Sequence, residues 1–228
     1  LFLCLGLEAA RAAPVARWSF DVAAPDGTIP AAAGDVVARL ENASGQAGLG
    51  RQDERSVFRV PGTDARDCLT LGEGPAFDLP KAFTLEAWFR PEPAAPGSYV
   101  MILGKRYSNQ YQLTWTPNGD NTIEFYVGGG DLVRNRCWQD HLATGRWLHV
   151  VAAYDSAVAA GPNQWLYVDG ELARAVRNEV RLTSDLSALR LAQNSIMGLT
   201  GGVPAAWDEV AIYDHALAAA EVAAAYAA

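Results

Sequence analysis

The chain has 228 residues, half of them hydrophobic and a tenth aromatic, which is enough to bury one substantial core. Its 18 basic residues face 26 acidic ones, a formal charge of -8, and such a surface repels polyanions, which argues against nucleic acid as a partner. No apolar run approaches the ~20 residues that cross a bilayer, so no membrane span is expected.

The chain starts with a short apolar run, followed by Ala10-Arg11-Ala12 just before Pro14, the pattern that ends a secretory signal. Residues 1–13 are therefore read as the remainder of a signal, with a short N-terminal core strand as the alternative, and 14–228 as a single exported domain, secreted, periplasmic or at the cell surface. From Ala16 onward, short period-two runs alternate with Gly, Pro, Asn and Asp, which reads as antiparallel strands and turns. Phe83, Leu85, Ala87 and Phe89 fall on one face of a strand that Pro91-Glu92-Pro93 ends. Tyr111, Leu113 and Trp115 repeat the pattern, and Pro117-Asn118-Gly119-Asp120 turns the chain into Ile123, Phe125 and Val127. Gly128-Gly129-Gly130 then reverses it into a strand through Cys137-Trp138. Trp147–Tyr154 and Trp165–Val168 are two further strands, the second closed by Asp169-Gly170. The one helix predicted is terminal, Ala216 to Tyr226, with Asp214 placed to cap it.

Beyond position 13 two cysteines remain, Cys68 and Cys137, far apart in sequence. In an exported protein they form either one disulfide or two separate buried thiols. The hairpin around Gly128–Gly130 carries the best surface for an organic ligand. If it is regular, Arg134, Arg136 and Trp138 share a face, and Glu124 and Tyr126 point the same way or the opposite way according to register. A sugar needs an aromatic plate for its C–H face beside directional hydrogen-bond partners, and Tyr126, Arg134, Arg136 and Trp138 offer both. The same residues would also suit a solvated edge face with one packed tryptophan.

Several segments, in order, resemble laminin-G-like jelly-roll domains of the concanavalin A-like lectin/glucanase superfamily. They are Trp18-Ser19-Phe20-Asp21, Asn42-Ala43-Ser44-Gly45, Phe83-Thr84-Leu85-Glu86-Ala87-Trp88, Trp147-Leu148-His149-Val150, Leu166-Tyr167-Val168-Asp169-Gly170 and Trp207-Asp208-Glu209-Val210. The resemblance implies an all-β fold, a two-sheet antiparallel jelly-roll β-sandwich with a short C-terminal helix. It also implies a possible structural Ca²⁺, with Asp21, Asn42 and Asp208 as ligands, although Asn42 stands where the family more often has Asp.

Catalytic signatures are missing from the sequence. Retaining glycosidases place two carboxyl groups about 5 Å apart, and the Glu-x-Asp-x-x-Glu string that does so in this fold does not occur. There is no Gly-x-Ser-x-Gly elbow and no His-Glu-x-x-His motif. The expectation is a non-catalytic extracellular binding module for a glycan or a glycan-bearing surface. The alternative is a structural or protein-interaction domain that meets other extracellular proteins, and a glycoside hydrolase-related enzyme comes third.

Overall fold

Alternation of inward apolar and outward polar side chains is what builds this chain into sheets. A computed structural model describes residues 13–24, 26–62, 64, 66–94, 99–105, 110–117, 119–128, 136–192 and 203–228. Residues 1–12 of the expected signal, Gly129-Gly130 and Arg134 lie outside the described residues. The described strands are, in chain order, β1 (Ala16–Trp18), β2 (Thr28–Pro30), β3 (Val37–Glu41), β4 (Gly48–Gln52), β5 (Arg55–Val60), β6 (Cys68–Gly72), β7 (Ala82–Pro91) and β8 (Val100–Gly104). They continue with β9 (Tyr111–Thr116), β10 (Thr122–Val127), β11 (Arg136–Gln139), β12 (Leu148–Asp155), β13 (Gln164–Val168), β14 (Glu171–Val176), β15 (Leu189–Leu191) and β16 (Ala205–Tyr213). Helix α1 (Ala219–Ala227) follows.

The strands pair antiparallel into two sheets. The first runs β14-β13-β12-β7-β16-β5-β4, with β1 added alongside β16, and the second runs β11-β10-β9-β8-β15-β6-β3-β2. The inner faces are those the alternation predicts. Phe83, Leu85, Ala87 and Phe89 of β7 meet Tyr111, Leu113, Trp115, Ile123 and Phe125 of β9 and β10 in one core. Across the gap Phe83 stacks on Tyr111 with ring centroids 4.1 Å apart. Burying each such side chain contributes about 1.5–3 kcal/mol, so this layer of rings supplies much of the fold's stability. The sequence expectation of a two-sheet sandwich with a single short helix is the fold observed.

Polar clips fix how the two layers sit. A bulge in β8 between Met101 and Leu103 frees the carbonyl of Ile102, which accepts the indole N–H of Trp207 in the opposite sheet at 2.9 Å. At the β10–β13 side, buried Gln164 donates to Phe125 O at 2.8 Å, and buried Asn178 donates to Val127 O at 2.9 Å and to Gln164 Oε1 at 2.8 Å. Each amide thus satisfies backbone of the facing sheet that would otherwise be left unpaired in the core.

Two expectations are corrected. The helix starts at Ala219 rather than Ala216, with Ala218 in the capping position and its N–H bonded to the Glu221 carboxylate at 2.8 Å. Asp214 bonds to the neighbouring His215 ring instead. Cys68 and Cys137 form no disulfide: both are free and buried. They sit on β6 and β11, five strand steps apart in the same sheet, roughly 24 Å at the ordinary strand spacing, whereas a bridge needs Cα atoms within about 7 Å. They also face opposite ways, Cys137 into the core with its Sγ–H on Gln164 O at 3.4 Å, and Cys68 outward beside Glu41.

Candidate functional site

The hairpin expected to carry the ligand face has its register fixed by cross-strand pairing. Tyr126 lies opposite Arg136 and Glu124 opposite Trp138. On the other side of β10, Tyr126 lies opposite Gln112 and Glu124 opposite Thr114 of β9. Directly paired residues share a face, so Gln112, Thr114, Glu124, Tyr126, Arg136 and Trp138 form one outward patch, while Phe125 and Cys137 turn into the core. The structure thus brings Tyr126, Arg136 and Trp138 together; Arg134 falls outside the described residues.

Within the patch, Arg136 pairs with Glu124, and Glu124 also accepts the Thr116 hydroxyl at 3.3 Å. Burial raises the Tyr126 phenol well above its usual range, and the nearby Glu124 charge adds to this. The Arg136 guanidinium lies 5.0 Å from the centroid of the Trp138 ring. A second cation, Arg174 of β14, lies 4.0 Å from the same centroid, reaching across from the other sheet. Trp138 is therefore a half-buried ring held between charged groups rather than a bare plate.

Gln112 is the residue that sequence reasoning did not single out. It is 1% exposed, and neither its amide nitrogen nor its amide oxygen has a hydrogen-bond partner. The Nε of Arg136 is buried and unpartnered in the same way. Leaving such groups unpaired costs about 1–3 kcal/mol each. Its place is set by Gly104 opposite it on β8: a Cβ there would come within 2.8 Å of the Gln112 Cβ, so the two strands approach this closely only because residue 104 has no side chain.

The same face continues through Arg190 and Thr70, which pair in register with Gly104 and Arg39. Here it opens into a groove of about 590 Å³ lined by Arg39, Glu41, Thr70 and Arg190 among others. Its polar groups are knit together: Thr70 donates to Glu41 at 2.7 Å and Arg190 donates to the Thr70 hydroxyl at 3.1 Å.

The residues expected around calcium have other partners. Asp208 accepts Arg55 at 2.8 Å and the N–H of Glu209 at 2.8 Å; burial raises its carboxyl above the usual range, a shift the Arg55 bond opposes. Asn42 Oδ1 accepts the Ala47 N–H at 3.0 Å. Hydrogen bonds from Ser19 and then Ser56 lower the Asp21 carboxyl. Among the described residues no three His, Cys, Asp or Glu side chains gather as a metal group would require. A cation at Asp208 would lie against the Arg55 guanidinium and Asn42 brings no charge, so this donor set fits calcium poorly.

On the first sheet's outer face, under α1, a smaller cavity of about 200 Å³ is lined by Arg17, Arg55, Glu86, Trp88 and Glu209, with Ala225 and Ala228. Its charges are spent internally. Arg17 pairs with Glu209 and Arg55 with Asp208, and Glu86 holds His149 Nε2 at 3.0 Å and the Tyr213 hydroxyl at 2.7 Å. His149 is thus a buried structural residue, as its place within an apolar strand implies.

Two stacked antiparallel sheets, closed by one terminal helix and carrying an aromatic and polar outer face, define a lectin-like jelly-roll sandwich. The chain belongs to the concanavalin A-like lectin/glucanases superfamily, whose family profile matches residues 63–223. It is similar to the botulinum neurotoxin type G receptor binding domain, with 11% identity and a TM-score of 0.71, covering 95% of this chain and 51% of that one. It is also similar to the botulinum neurotoxin serotype D ligand binding domain, in complex with N-acetylneuraminic acid, at 10% identity, TM-score 0.68, and 94% and 50% coverage. A Trypanosoma rangeli sialidase in complex with the inhibitor DANA matches at 14% identity, TM-score 0.65, and 92% and 32% coverage. The chain spans about half the length of the toxin domains and about a third of the sialidase. No curated protein sequence matches it.

Proposed function

We propose that the chain is a non-catalytic carbohydrate-binding module, exported, that holds its ligand on the outer face of the second sheet at β9–β11. The observation that carries this is Gln112. An amide buried with both donor and acceptor unused is a cost that an apolar residue of the same size would remove, and a sugar hydroxyl, itself donor and acceptor, is the complement of such a group. Tyr126 lies opposite it on β10 and Arg136 opposite Tyr126 on β11, so further hydrogen-bonding groups border the amide. Likeness to a domain whose structure holds N-acetylneuraminic acid supports the same reading. Calcium is not part of it.

The test compares wild type with Gln112→Leu on an array of plant, algal and microbial polysaccharides. The substitution removes the unpaired amide, so the melting temperature stays level or rises, while retention on the recognised glycan falls at least about tenfold, the equivalent of one lost 1.4 kcal/mol interaction. Wild type retained on no polysaccharide would refute the module. A variant bound as well as wild type would move the ligand to another face.

A further inference from the structure

We infer that the sugar this face takes presents a vicinal diol, two free hydroxyls on adjacent ring carbons, to Gln112; the inference rests on the carbohydrate reading above and names the ligand class within it. The Gln112 side chain is 1% exposed, and both halves of its amide lack a partner. The unused oxygen wants a donor and the unused nitrogen an acceptor, each at about 2.8–3.0 Å along a nearly straight line. The oxygen's lone pair on the nitrogen's side runs nearly parallel to the N–H beside it, so the two partner atoms must sit side by side. Hydroxyls on neighbouring carbons of a pyranose ring stand in this way, one giving its hydrogen to the carbonyl while the other accepts the N–H. Exchanging the amide's oxygen and nitrogen leaves the match intact, because each hydroxyl both donates and accepts.

Other sugar groups satisfy only half of the amide, or strain it. A single hydroxyl that serves both atoms bends both bonds, and hydrogen bonds weaken as they bend. Two equatorial hydroxyls on alternate ring carbons are too widely spaced. A carboxylate or sulfate has no hydrogen for the carbonyl, and an N-acetyl group, its amide trans, holds N–H and C=O on opposite sides. The protein backbone has little room to adjust. Gln112 sits where β8 and β9 press together: a Cβ on Gly104 opposite would come within 2.7 Å of the Gln112 Cα and 2.8 Å of its Cβ. The buried Nε–H of Arg136, on the far side of Tyr126, is a donor alone and gives its hydrogen to a further sugar oxygen.

The experiment measures retention of wild type and Gln112→Leu on homopolymers of glucose, galactose and mannose, each in two linkage forms. Linkage through carbon three leaves no two adjacent ring hydroxyls free, whereas linkage through carbon four or six does. Expected is at least about tenfold stronger retention of the diol-bearing form of one sugar or more. Gln112→Leu, with its melting temperature level or higher, should retain the two forms alike. Where only a heteropolysaccharide of the array is retained, periodate decides, since it cleaves between adjacent hydroxyl-bearing carbons and spares isolated hydroxyls. Retention lost after oxidation supports the inference, and retention kept overturns it. Wild type that holds the three-linked form as well or better overturns it while leaving the carbohydrate reading standing. A preference that survives in Gln112→Leu also overturns it. No retention of any homopolymer or array polysaccharide overturns both.

Discussion

At the scale of single residues, burial decides what each polar side chain can do. Cys68 and Cys137 show it most simply: with no partner thiol and little solvent, burial pushes both thiols up to about 12. At pH 8 almost no thiolate exists at either position. Alkylation followed by peptide mapping should therefore leave both unmodified in the folded protein and label both after denaturation, and reducing agent should leave the melting temperature unchanged. Rapid native labelling of Cys137 would contradict its place in the core. Gln112 was not legible as a site because a glutamine between Tyr111 and Leu113 reads as an ordinary outward residue of a half-exposed strand. The signal was available only after register: once the Pro117–Asp120 turn aligns β9 with β10, Gln112 falls opposite Tyr126. Arg174 was out of reach altogether, since nothing in the sequence brings β14 of one sheet beside β11 of the other.

Elements that alternate were legible and elements that do not were missed. β7, β9 and β10 each show one apolar face, and their inward residues are the ones the period-two pattern names. β8, Val-Met-Ile-Leu-Gly, is buried along its whole length and so has no alternation to read. β4 carries two glycines in five residues and offers too few side chains. The helix began late because Asp214 is drawn to His215, leaving the cap to the Glu221 carboxylate. How α1 and the first sheet fit depends on Glu86, which serves His149 on β12 and Tyr213 on β16 at once. Glu86→Ala strands two buried polar groups and should cost about 3 kcal/mol or more in urea unfolding. An effect below about 1 kcal/mol would mean that those groups find other partners. Trp207→Ala, which removes both a buried ring and the bond to the β8 bulge, should cost about 3–5 kcal/mol by the same measurement.

At the scale of the whole molecule, the buried hydroxyls and thiols act together on pH stability. Burial raises the phenols of Tyr111, Tyr126, Tyr154 and Tyr167 as well as the two thiols. For each group the folded value lies above the unfolded one, so its contribution is complete below the unfolded value, about 9 to 10, and is lost as pH rises toward the folded value. Melting temperature should hold through neutrality and fall steeply between about pH 9 and 11; a flat profile across that range would show the groups to be solvated. The architecture also has a temporal side. β7 at the middle of the first sheet takes its two neighbours from β12 and β16, and Phe89 pairs with Trp207 across more than half the chain. On a ribosome or in a translocation channel, the strand that organises the sandwich must therefore wait for the last strand to emerge. Until then it presents an unpaired edge rich in aromatic side chains. Nascent chains arrested before Ala205 should consequently be clients of holding chaperones and should aggregate on release, instead of behaving as a smaller folded unit.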